Sequence, residues 1–478
     1  MKTIKNIIYN SSYQILLMII PLITQPYVSR VLLPHANGIY TATFNTMQYF
    51  IILGDLGIGL YANREIAYHR DNPFDRSKIF WEIELLQLFT TGISFICFLI
   101  YIAWNNEYLT IQLLQLLWLL SYSFDISWYF MALEDFQKTV TKNTVVKVIS
   151  IILIFILVKS PSDLIKYTII QGGAQFIGAL SLWSYLPKTL VKVHIKHLNF
   201  LKHLKPSFIL FIPNVAVQVY SILNKSMLQH LVNVSSVAFF TFGDNIVRTV
   251  LALVTATGSV MLPKIANRFA KGNMKGVKLS LYRNMNFVSA ISFPLMFGLA
   301  AIGTKFAIKF FGPQYIASGP VIVRESPILV LIAWSTVIGR QYLMPINKMT
   351  AYTLSVTLGA ICNIIINIPL IHIFGTSGTA LATTISELVV TAYQVLRVRK
   401  ELSIKKMFKG QWKYFICGLI MYLIVHALSN HWPITVSHII LEIFVGIILY
   451  AFGMFITKAQ IIYEFSNVIK LIFKKGDL

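Results

Sequence analysis

Three basic residues, Lys225, Arg248 and Arg324, lie inside segments that are otherwise apolar, and each of the first two shares a helical face with polar residues. Lys225 and Arg248 occur within stretches of the sequence that are long enough to cross a lipid bilayer. An ionisable side chain in such a place is costly, so it normally faces the interior of a helical bundle or a water-filled cavity. Cations in a cavity of low dielectric constant attract phosphate strongly, and an arginine can bind it through two parallel hydrogen bonds. Both residues are therefore candidates for binding a phosphate-bearing group.

Acidic residues occur in segments of the same kind. Asp55, Asp125 and Glu387 are candidates for proton or sodium coupling, and the alternative is that they are counter-ions to arginines or to other partners. Asp244 precedes Arg248 by one helical turn, a spacing at which the carboxylate can partly neutralise the guanidinium.

The composition is not that of a water-soluble globule. Of the 478 residues, 56% are hydrophobic and 12% are charged, whereas an average soluble domain has roughly 25% charged residues. The formal net charge is +23, but the basic residues form short clusters between long apolar stretches. We therefore expect them to meet anionic membrane lipids and not nucleic acid.

The apolar stretches predict about fourteen transmembrane helices, because a bilayer core needs about 20 mostly apolar residues per helix. Spans 1 to 14 are predicted near 8–29, 39–61, 79–103, 108–131, 144–158, 163–186, 206–228, 234–262, 286–308, 319–340, 350–371, 378–396, 412–428 and 436–457. Most of the 41 lysines and arginines fall in the two tails and the even-numbered connections. Since cytoplasmic loops carry the Lys/Arg excess, both termini are predicted to be cytoplasmic.

Four of these spans carry polar residues on a single helical face, at steps of mostly three and four residues. The stripes are Asn10, Gln14, Pro21 and Gln25 in span 1; Asn45, Gln48, Asp55, Gly59 and Asn63 in span 2; Asn214, Gln218, Ser221 and Lys225 in span 7; and Thr241, Asn245, Arg248 and Thr255 in span 8. We expect the four faces to enclose a polar cleft. The alternative is that they only bond neighbouring helices together.

A basic linker divides twelve of the spans into six and six. It runs from Pro187 to Pro206 and combines regularly spaced lysines with apolar residues, a pattern suited to lying on an anionic inner leaflet. Its three histidines could suggest a metal site, but an interfacial role is favoured and no metal is expected. The predicted division is an N-terminal six-helix lobe, the linker, a C-terminal six-helix lobe, and two additional helices with a cytoplasmic tail, at 1–187, 188–205, 206–400 and 401–478.

The sequence predicts neither catalysis nor a cofactor. It contains no G-x-x-x-x-G-K-[ST], H-E-x-x-H or G-x-S-x-G motif. Gly57 and Gly59 imitate part of a dinucleotide fingerprint, but their position in an apolar span favours close helix packing. Cys97, Cys362 and Cys417 all lie in apolar stretches, which implies neither a disulfide framework nor a metal site. A membrane-embedded glycan polymerase or acyltransferase is an alternative that the lack of a long outward connection disfavours.

Several stretches together resemble the oligosaccharide repeat-unit flippases of the Wzx type. This group is the polysaccharide transporter branch of the superfamily that also contains multidrug/cation antiporters and the peptidoglycan lipid flippase. The first-half stretches are Gly38-Ile-Tyr40, GDLGIGLYANREIAYHRDN (54–72) and SWYFMALEDFQKTVTKN (127–143). The second-half stretches are HLKPSFILFIPNVAVQVYSILNKSML (203–228), VMLPKIANRFAKGN (260–273), FFGPQYIASG (310–319) and IGRQYLMPINK (338–348).

This resemblance implies an all-α polytopic membrane fold of two pseudo-symmetric six-helix bundles, like that of MATE transporters, with two C-terminal helices added. It also implies a substrate, an undecaprenyl-pyrophosphate-linked oligosaccharide that moves from the inner to the outer leaflet by alternating access. The product would serve capsule, exopolysaccharide or O-antigen assembly, with polysaccharide assembly proteins as further partners. A drug or cation antiporter of the same superfamily is the alternative function.

In flippases of this superfamily, cavity cations on the first, second and eighth spans are associated with the pyrophosphate, and Arg248 matches that pattern. Span 1 departs from it, because Arg30 lies at its outer end, and Arg64 near the cytoplasmic end of span 2 is a candidate for a cytoplasmic gate. We expect Lys225 and Arg248 to hold the pyrophosphate. The residues expected to bind the glycan or line the cavity are Gln14, Gln25, Gln48, Asn214, Gln218 and Asn245.

Overall fold

The computed structural model describes residues 2–194, 198–255 and 257–463. Side chains are described from residue 19 onwards within these ranges, except at 188, 212–214, 216, 217, 220, 257–260 and 264. Over the described residues the chain is helical and contains no strand.

The helices follow one another with short connections. The first eight are α1 (Lys2–Asp55), α2 (Ile58–Tyr68), α3 (Pro73–Trp104), α4 (Leu109–Ser123), α5 (Ser127–Ala132), α6 (Phe136–Leu157), α7 (Leu164–Ser181) and α8 (Leu204–Leu231). The others are α9 (Val234–Thr255), α10 (Thr257–Ala270), α11 (Met274–Phe311), α12 (Ser318–Glu325), α13 (Ile328–Ser335), α14 (Met349–Phe374), α15 (Thr376–Val398), α16 (Ile404–Met407), α17 (Gln411–His431) and α18 (Val436–Ile456). A π-helical segment, Thr336–Leu343, continues α13.

Each predicted span overlaps one or more of these helices, so the all-α polytopic membrane fold is confirmed. Within the described ranges, nine helices are long and apolar enough to cross a membrane. The number is ten if Ser318–Glu325 and Ile328–Leu343, which meet at a bend of 41°, form one span. The total of fourteen is compatible with these helices and stays a prediction.

Span 2 begins on α1 and continues across Leu56 and Gly57 into α2, whereas span 1 lies wholly on α1. Helix α1 is interrupted at Leu33, whose backbone has φ 60° and ψ 170°. Pro34 follows, and a residue that precedes proline is disfavoured in the α-helical region. The break therefore falls between the two predicted spans.

The chain divides by its internal contacts into a first unit, Met1–Ala238, and a second unit, Phe239–Leu478. Both the linker residues described before α8 and α8 itself belong to the first unit. The division into six and six helices with the linker between them stays a prediction.

Aromatic packing fixes the position of α5 in the first unit. Phe80 on α3 lies with its ring centroid 5.4 Å from that of Trp128 and 5.0 Å from that of Tyr129. All three side chains are buried. Because α5 is held in this way, the break between α4 and α5, where Asp125 lies, is held beside α3 as well.

A tight junction joins α1 to α2. Gly57 has φ +78°, and a Cβ added there would lie 2.7 Å from the backbone oxygen of Ser207 at the start of α8. Glycine is required on both counts, because other residues are strained at this φ and a methyl group would collide with α8. The junction thus brings the ends of α1 and α2 into direct contact with α8.

In the second unit, the two C-terminal helices pack on α11. Tyr450 on α18 donates a hydrogen bond to the carbonyl oxygen of Ala290 at 2.9 Å, and Tyr414 on α17 donates one to Asn286 Oδ1 at 2.7 Å. Gly418 lies against the ring of Phe297, where a Cβ would come within 2.5 Å of a ring carbon. The pair α17–α18 is therefore an integral part of the second unit.

Candidate functional site

A cavity of about 600 Å³ lies within the first unit. It is bounded by the end of α1, by α2, by the α4–α5 break and by α8. Its lining residues are Ile51, Ile52, Asp55, Gly57, Gly59, Leu60, Asn63, Tyr122, Asp125, Ser127, Trp128, Met131, Phe211, Val215 and Gln218. Three of the residues predicted from the sequence, Asp55, Asp125 and Gln218, are therefore brought together at one cavity.

Two hydrogen bonds hold Asp55 at this cavity. Its Oδ1 accepts a short hydrogen bond from the Tyr122 hydroxyl and a longer one, at 3.4 Å, from the backbone N–H of Gly59. No lysine, arginine or histidine among the described residues forms an ion pair with it. A half-buried carboxylate of this kind can accept hydrogen bonds from hydroxyl groups or bind a cation.

Asp125, in contrast, is compensated inside the protein. Its Oδ2 lies 3.2 Å from Lys142 Nζ, and its Oδ1 accepts hydrogen bonds from the backbone N–H of Ser127, at 2.9 Å, and from the Ser127 hydroxyl. Only 6% of the Lys142 side chain is exposed. Asp125 is thus paired with Lys142 within the first unit, and its role in transport stays a prediction.

Glu84 lies deeper in α3. It is fully buried, and neither carboxylate oxygen has a hydrogen-bond partner among the described residues. It is within electrostatic reach of Asp125. A buried carboxyl group without a partner is normally kept neutral, because burial of the charge is so unfavourable.

A glutamine holds the α4–α5 break together. Gln87 on α3 donates to the carbonyl oxygen of Tyr122 at 2.6 Å and accepts from Trp128 Nε1 at 3.1 Å. These bonds satisfy a carbonyl left open where α4 ends. Sequence reasoning did not single out Gln87, Tyr122 or Lys142, because none of them belongs to a polar stripe, although Lys142 and Trp128 lie within one of the stretches that carried the family resemblance.

The two predicted phosphate-binding cations do not line this cavity. Lys225 is half-buried on α8 in the first unit. Arg248 is on α9 in the second unit, with 39% of its side chain exposed, and its Nε donates to Asp244 Oδ1 at 2.6 Å. The pairing expected from the one-turn spacing of Asp244 and Arg248 is present.

The other predicted residues are distributed as follows. Gln25, Gln48, Asn245 and Glu387 are half-buried, and Arg64 is exposed, with its guanidinium 5.6 Å from the centroid of the Tyr61 ring. The side chains of Gln14 and Asn214 lie outside the described part of the chain. Roles for all of these residues stay predictions.

Another member of the stripe in span 2 joins helices directly. Asn45 Nδ2 donates to the carbonyl oxygen of Ile222 and to Ser226 Oγ, both at 3.0 Å. Tyr49 also hydrogen-bonds to Ser226 Oγ, at 3.1 Å. At this level of α1 and α8 the polar residues bond neighbouring helices, while the stripe reaches the cavity at Asp55, about three turns further along α1.

A further cavity, of about 480 Å³, lies in the second unit between α11, α17 and α18. Its walls are apolar apart from Glu442, which is fully buried. Glu442 Oε1 lies 3.4 Å from Lys305 Nζ, and that lysine also donates to the carbonyl oxygen of Trp432 at 2.6 Å.

A family model described as polysaccharide biosynthesis protein matches residues 3–269, more than half of the chain. The chain belongs to this family. The resemblance seen in its sequence stretches is thereby confirmed.

Two relatives of this chain bear the name "Putative O-antigen transporter". The protein from Escherichia coli (strain K12) is 26% identical over 405 residues, which make up 83% of this chain and 96% of that protein. The protein from Shigella dysenteriae is 23% identical over 385 residues, 79% of this chain and 96% of that protein.

Solved structures share the fold of this chain. The lipid II flippase MurJ in an inward closed conformation matches with a TM-score of 0.76 and 17% identity, covering 95% of this chain and 100% of that one. An inward-facing multidrug resistance MATE family transporter of the MOP superfamily matches with a TM-score of 0.62 and 12% identity, covering 80% and 95%. The chain is therefore a multi-pass membrane protein with the MurJ and MATE fold.

Proposed function

We propose that this protein moves lipid-linked oligosaccharides from the inner to the outer leaflet of the cytoplasmic membrane. The observation that carries the proposal is the match to two proteins named as O-antigen transporters over 96% of their lengths. A further relative is named a lipid II flippase. These names describe transport, so a flippase is proposed in preference to a membrane-embedded polymerase or acyltransferase.

The physical need for a polar cavity supports this proposal. A glycan covered in hydroxyl groups cannot cross hydrocarbon unaided, because its hydrogen bonds to water would go unreplaced. The cavity in the first unit offers acceptors and donors from Asp55, Asn63 and Gln218 beside the ring of Trp128. A sugar could exchange its bonds to water for bonds to these groups.

The finer proposal concerns the substrate and its movement. We propose an undecaprenyl-pyrophosphate-linked repeat unit, moved by alternating access for capsule, exopolysaccharide or O-antigen assembly, with both termini in the cytoplasm. Lys225 and Arg248 would hold the pyrophosphate by charge-assisted hydrogen bonds, and the lipid tail would stay in the bilayer.

The test is leaflet-resolved labelling of lipid-linked glycan in a strain that lacks the gene. A membrane-impermeant reagent that oxidises sugars in intact spheroplasts would label only glycan on the outer leaflet. We expect the deletion strain to accumulate lipid-linked repeat units that stay protected until the membrane is permeabilised, and a plasmid copy to restore labelling. Unchanged outer-leaflet labelling in the deletion strain would contradict the proposal.

A second candidate function is a drug or cation antiporter of the same superfamily. The observation that favours it is Asp55, an acidic group at the cavity that no described cation compensates. It predicts that the deletion strain becomes sensitive to cationic drugs while its surface polysaccharide is unchanged. The labelling experiment therefore separates the two candidates.

A further inference from the structure

A buried chain of hydrogen bonds precedes α8 in the first unit. The Tyr61 hydroxyl on α2 lies 2.6 Å from His203 Nδ1, and His203 Nε2 lies 3.0 Å from Glu82 Oε2 on α3. His203 ends the helical turn Phe200–His203, just before α8. It is 3% exposed and Glu82 is 0% exposed. We refer to Tyr61, His203 and Glu82 as the latch.

Two more groups from the linker converge on the same carboxylate. The backbone N–H of Asn199 donates to Glu82 Oε1 at 2.9 Å, and Lys202 Nζ lies 2.7 Å from Glu82 Oε2. A fully buried carboxylate is stable only when its charge and lone pairs are satisfied. Glu82 thus depends on the linker, and the linker is fixed to α3 through Glu82.

The latch can affect the cavity because α8, which lines it, begins at Leu204, directly after His203. Ser207 Oγ donates to the carbonyl oxygen of Leu56 at 2.8 Å, and Gly57 leaves no room for α8 to come closer. Phe211, Val215 and Gln218, one to three turns further along α8, line the cavity opposite Asp55. Fixing the start of α8 therefore sets the position of one cavity wall.

The hydrogen bonds of the latch suit a neutral imidazole, in which one ring nitrogen accepts from Tyr61 and the other donates to Glu82. A proton added to His203 would turn the accepting nitrogen into a donor, so the Tyr61 hydroxyl would lose its acceptor and would have to rotate to accept instead. Burial lowers the pKa of His203 below that of a free histidine, although the hydrogen bond to Glu82 opposes this shift.

The charged groups within electrostatic reach of His203 and Tyr61 can be named for the described part of the chain, which leaves out 195–197 of the linker. They are Arg64 and Glu65 on α2, Glu82 on α3 and Lys202 in the linker. Lys202 already compensates Glu82, so a charged His203 would add a buried cation to a satisfied pair. Because the folded-state pKa is lowered, the contribution of the latch is complete above roughly pH 6.5 and is lost as the pH falls below it.

We propose that His203 is a positioning residue that holds the cavity-lining helix α8 in place through Tyr61 and Glu82, and that acid on the linker side loosens this hold. The link to transport rests on the function proposed above. The latch itself is a property of the folded chain and can be tested without a substrate.

The experiment is amide hydrogen exchange on the full-length protein in lipid nanodiscs at pH 7.5 and pH 5.5, corrected for the intrinsic pH dependence of exchange. We expect the backbone at 199–211 to exchange about tenfold faster at pH 5.5, since loss of one buried hydrogen bond is typically worth about that much. The unchanged protection of α11 serves as the internal reference. Equal protection of 199–211 at both pH values would overturn the acid sensitivity.

Single substitutions distinguish the roles of His203 and Tyr61. Glutamine can still accept and donate but cannot be protonated here, so His203→Gln should keep 199–211 protected at both pH values. Tyr61→Phe should raise exchange about tenfold at pH 7.5, because Nδ1 loses its donor. His194→Gln, an exposed histidine of the same linker, is the matched control and should behave like the wild type. If 199–211 still exchanged faster at pH 5.5 in the His203→Gln protein, the acid-sensitive group would be a residue other than His203.

Surface polysaccharide in a complemented deletion strain gives the link to transport. His203→Ala should lower it and His203→Gln should retain it, at equal amounts of protein in the membrane. Normal polysaccharide with a loosened α8 would overturn the positioning role while leaving the latch intact. A failure of the proposed function would show itself differently, as normal polysaccharide in the uncomplemented deletion strain.

Discussion

Lys142 Nζ lies 3.2 Å from Asp125 Oδ2, and the lysine is almost completely buried. Asp55 lines the same cavity without any such cation among the described residues. The two carboxylates, which the sequence offered for the same role, are thus in different electrostatic states. Asp125 belongs to an internal ion pair, and Asp55 is open to the cavity.

Asp125→Asn should destabilise the protein by about 1–3 kcal/mol, because it leaves the Lys142 ammonium buried without a counter-charge. The value is below that for a fully buried pair, since Asp125 itself is one-third exposed. Thermal unfolding of the purified full chain in detergent measures it. Asp135→Asn, which breaks the more exposed pair with Lys138 in the same unit, is the control and should cost less than about 1 kcal/mol. Equal losses would contradict the internal pairing.

Asp55→Asn should lower surface polysaccharide about tenfold while leaving the amount and stability of the protein unchanged. The amide oxygen can still accept from Tyr122, but the charge offered to the cavity is lost, and charged hydrogen bonds are worth roughly twice neutral ones. Polysaccharide quantification in a complemented deletion strain, beside membrane immunoblots, is the measurement. Asp71→Asn is the control, because the Asp71 side chain is 99% exposed. Normal polysaccharide would remove Asp55 from the mechanism.

Arg248→Ala should abolish surface polysaccharide and leave the protein in the membrane, if Arg248 holds the pyrophosphate. The substitution also strands Asp244, which is buried, so the double variant Asp244→Asn/Arg248→Ala is needed as well. Loss in both variants supports the binding role. Recovery of polysaccharide in the double variant would show that the arginine only neutralises Asp244. Arg399→Ala, an exposed arginine of the same unit, is the control.

Gly57→Ala should destabilise the protein by roughly 2–4 kcal/mol. A non-glycine residue at positive φ costs about 1–2 kcal/mol, and the methyl group would also collide with the Ser207 carbonyl. Gly272→Ala isolates the first effect, since Gly272 has φ +69° and no atom within 4 Å of its would-be Cβ. Thermal unfolding of both variants gives the comparison. Similar losses of stability in the two variants would mean that α8 moves to make room for the methyl group.

Glu401→Gln should reduce the loss of folding stability that accompanies a fall in pH. Burial opposes ionisation of Glu401, but hydrogen bonds from Lys348 and Tyr342 hold its pKa below the usual value. The ion pair with Lys348 is therefore complete above about pH 4.3 and is lost as the pH falls further. Both side chains are about one-third exposed, so the contribution is below about 1 kcal/mol. Unfolding temperatures between pH 7 and pH 3.5 provide the measurement, with Asp71→Asn as the control.

Most of the fold could be predicted from local patterns in the sequence. The apolar spans and the Asp244–Arg248 pair depend on spacings of one helix or less, which periodicity reveals. The apolar stretches could not predict that Ser127–Ala132 is a separate helix after a break, because its apolar composition continues that of α4.

Contacts between distant parts of the chain could not be read from spacing. Asp125 and Lys142 are 17 residues apart and meet only because the chain turns between α4 and α6. Tyr61 and His203 are 142 residues apart. The linker histidines were therefore interpreted by composition alone, as interfacial residues, and the one nearest α8 is instead buried in a hydrogen-bonded chain.

The Lys305–Glu442 pair has a practical consequence for anyone shortening this chain. Its two members lie on α11 and α18, and α17 packs along the same flank of α11 through Tyr414 and Gly418. A truncation before Gln411 would expose that flank of α11 to lipid and leave the Lys305 ammonium group without Glu442. It would also remove two walls of the apolar cavity in the second unit. An affinity tag belongs after Ile461, since Ala459 and Ile461 are buried in the same apolar cluster, and a minimal version of the protein has to retain its last helical hairpin.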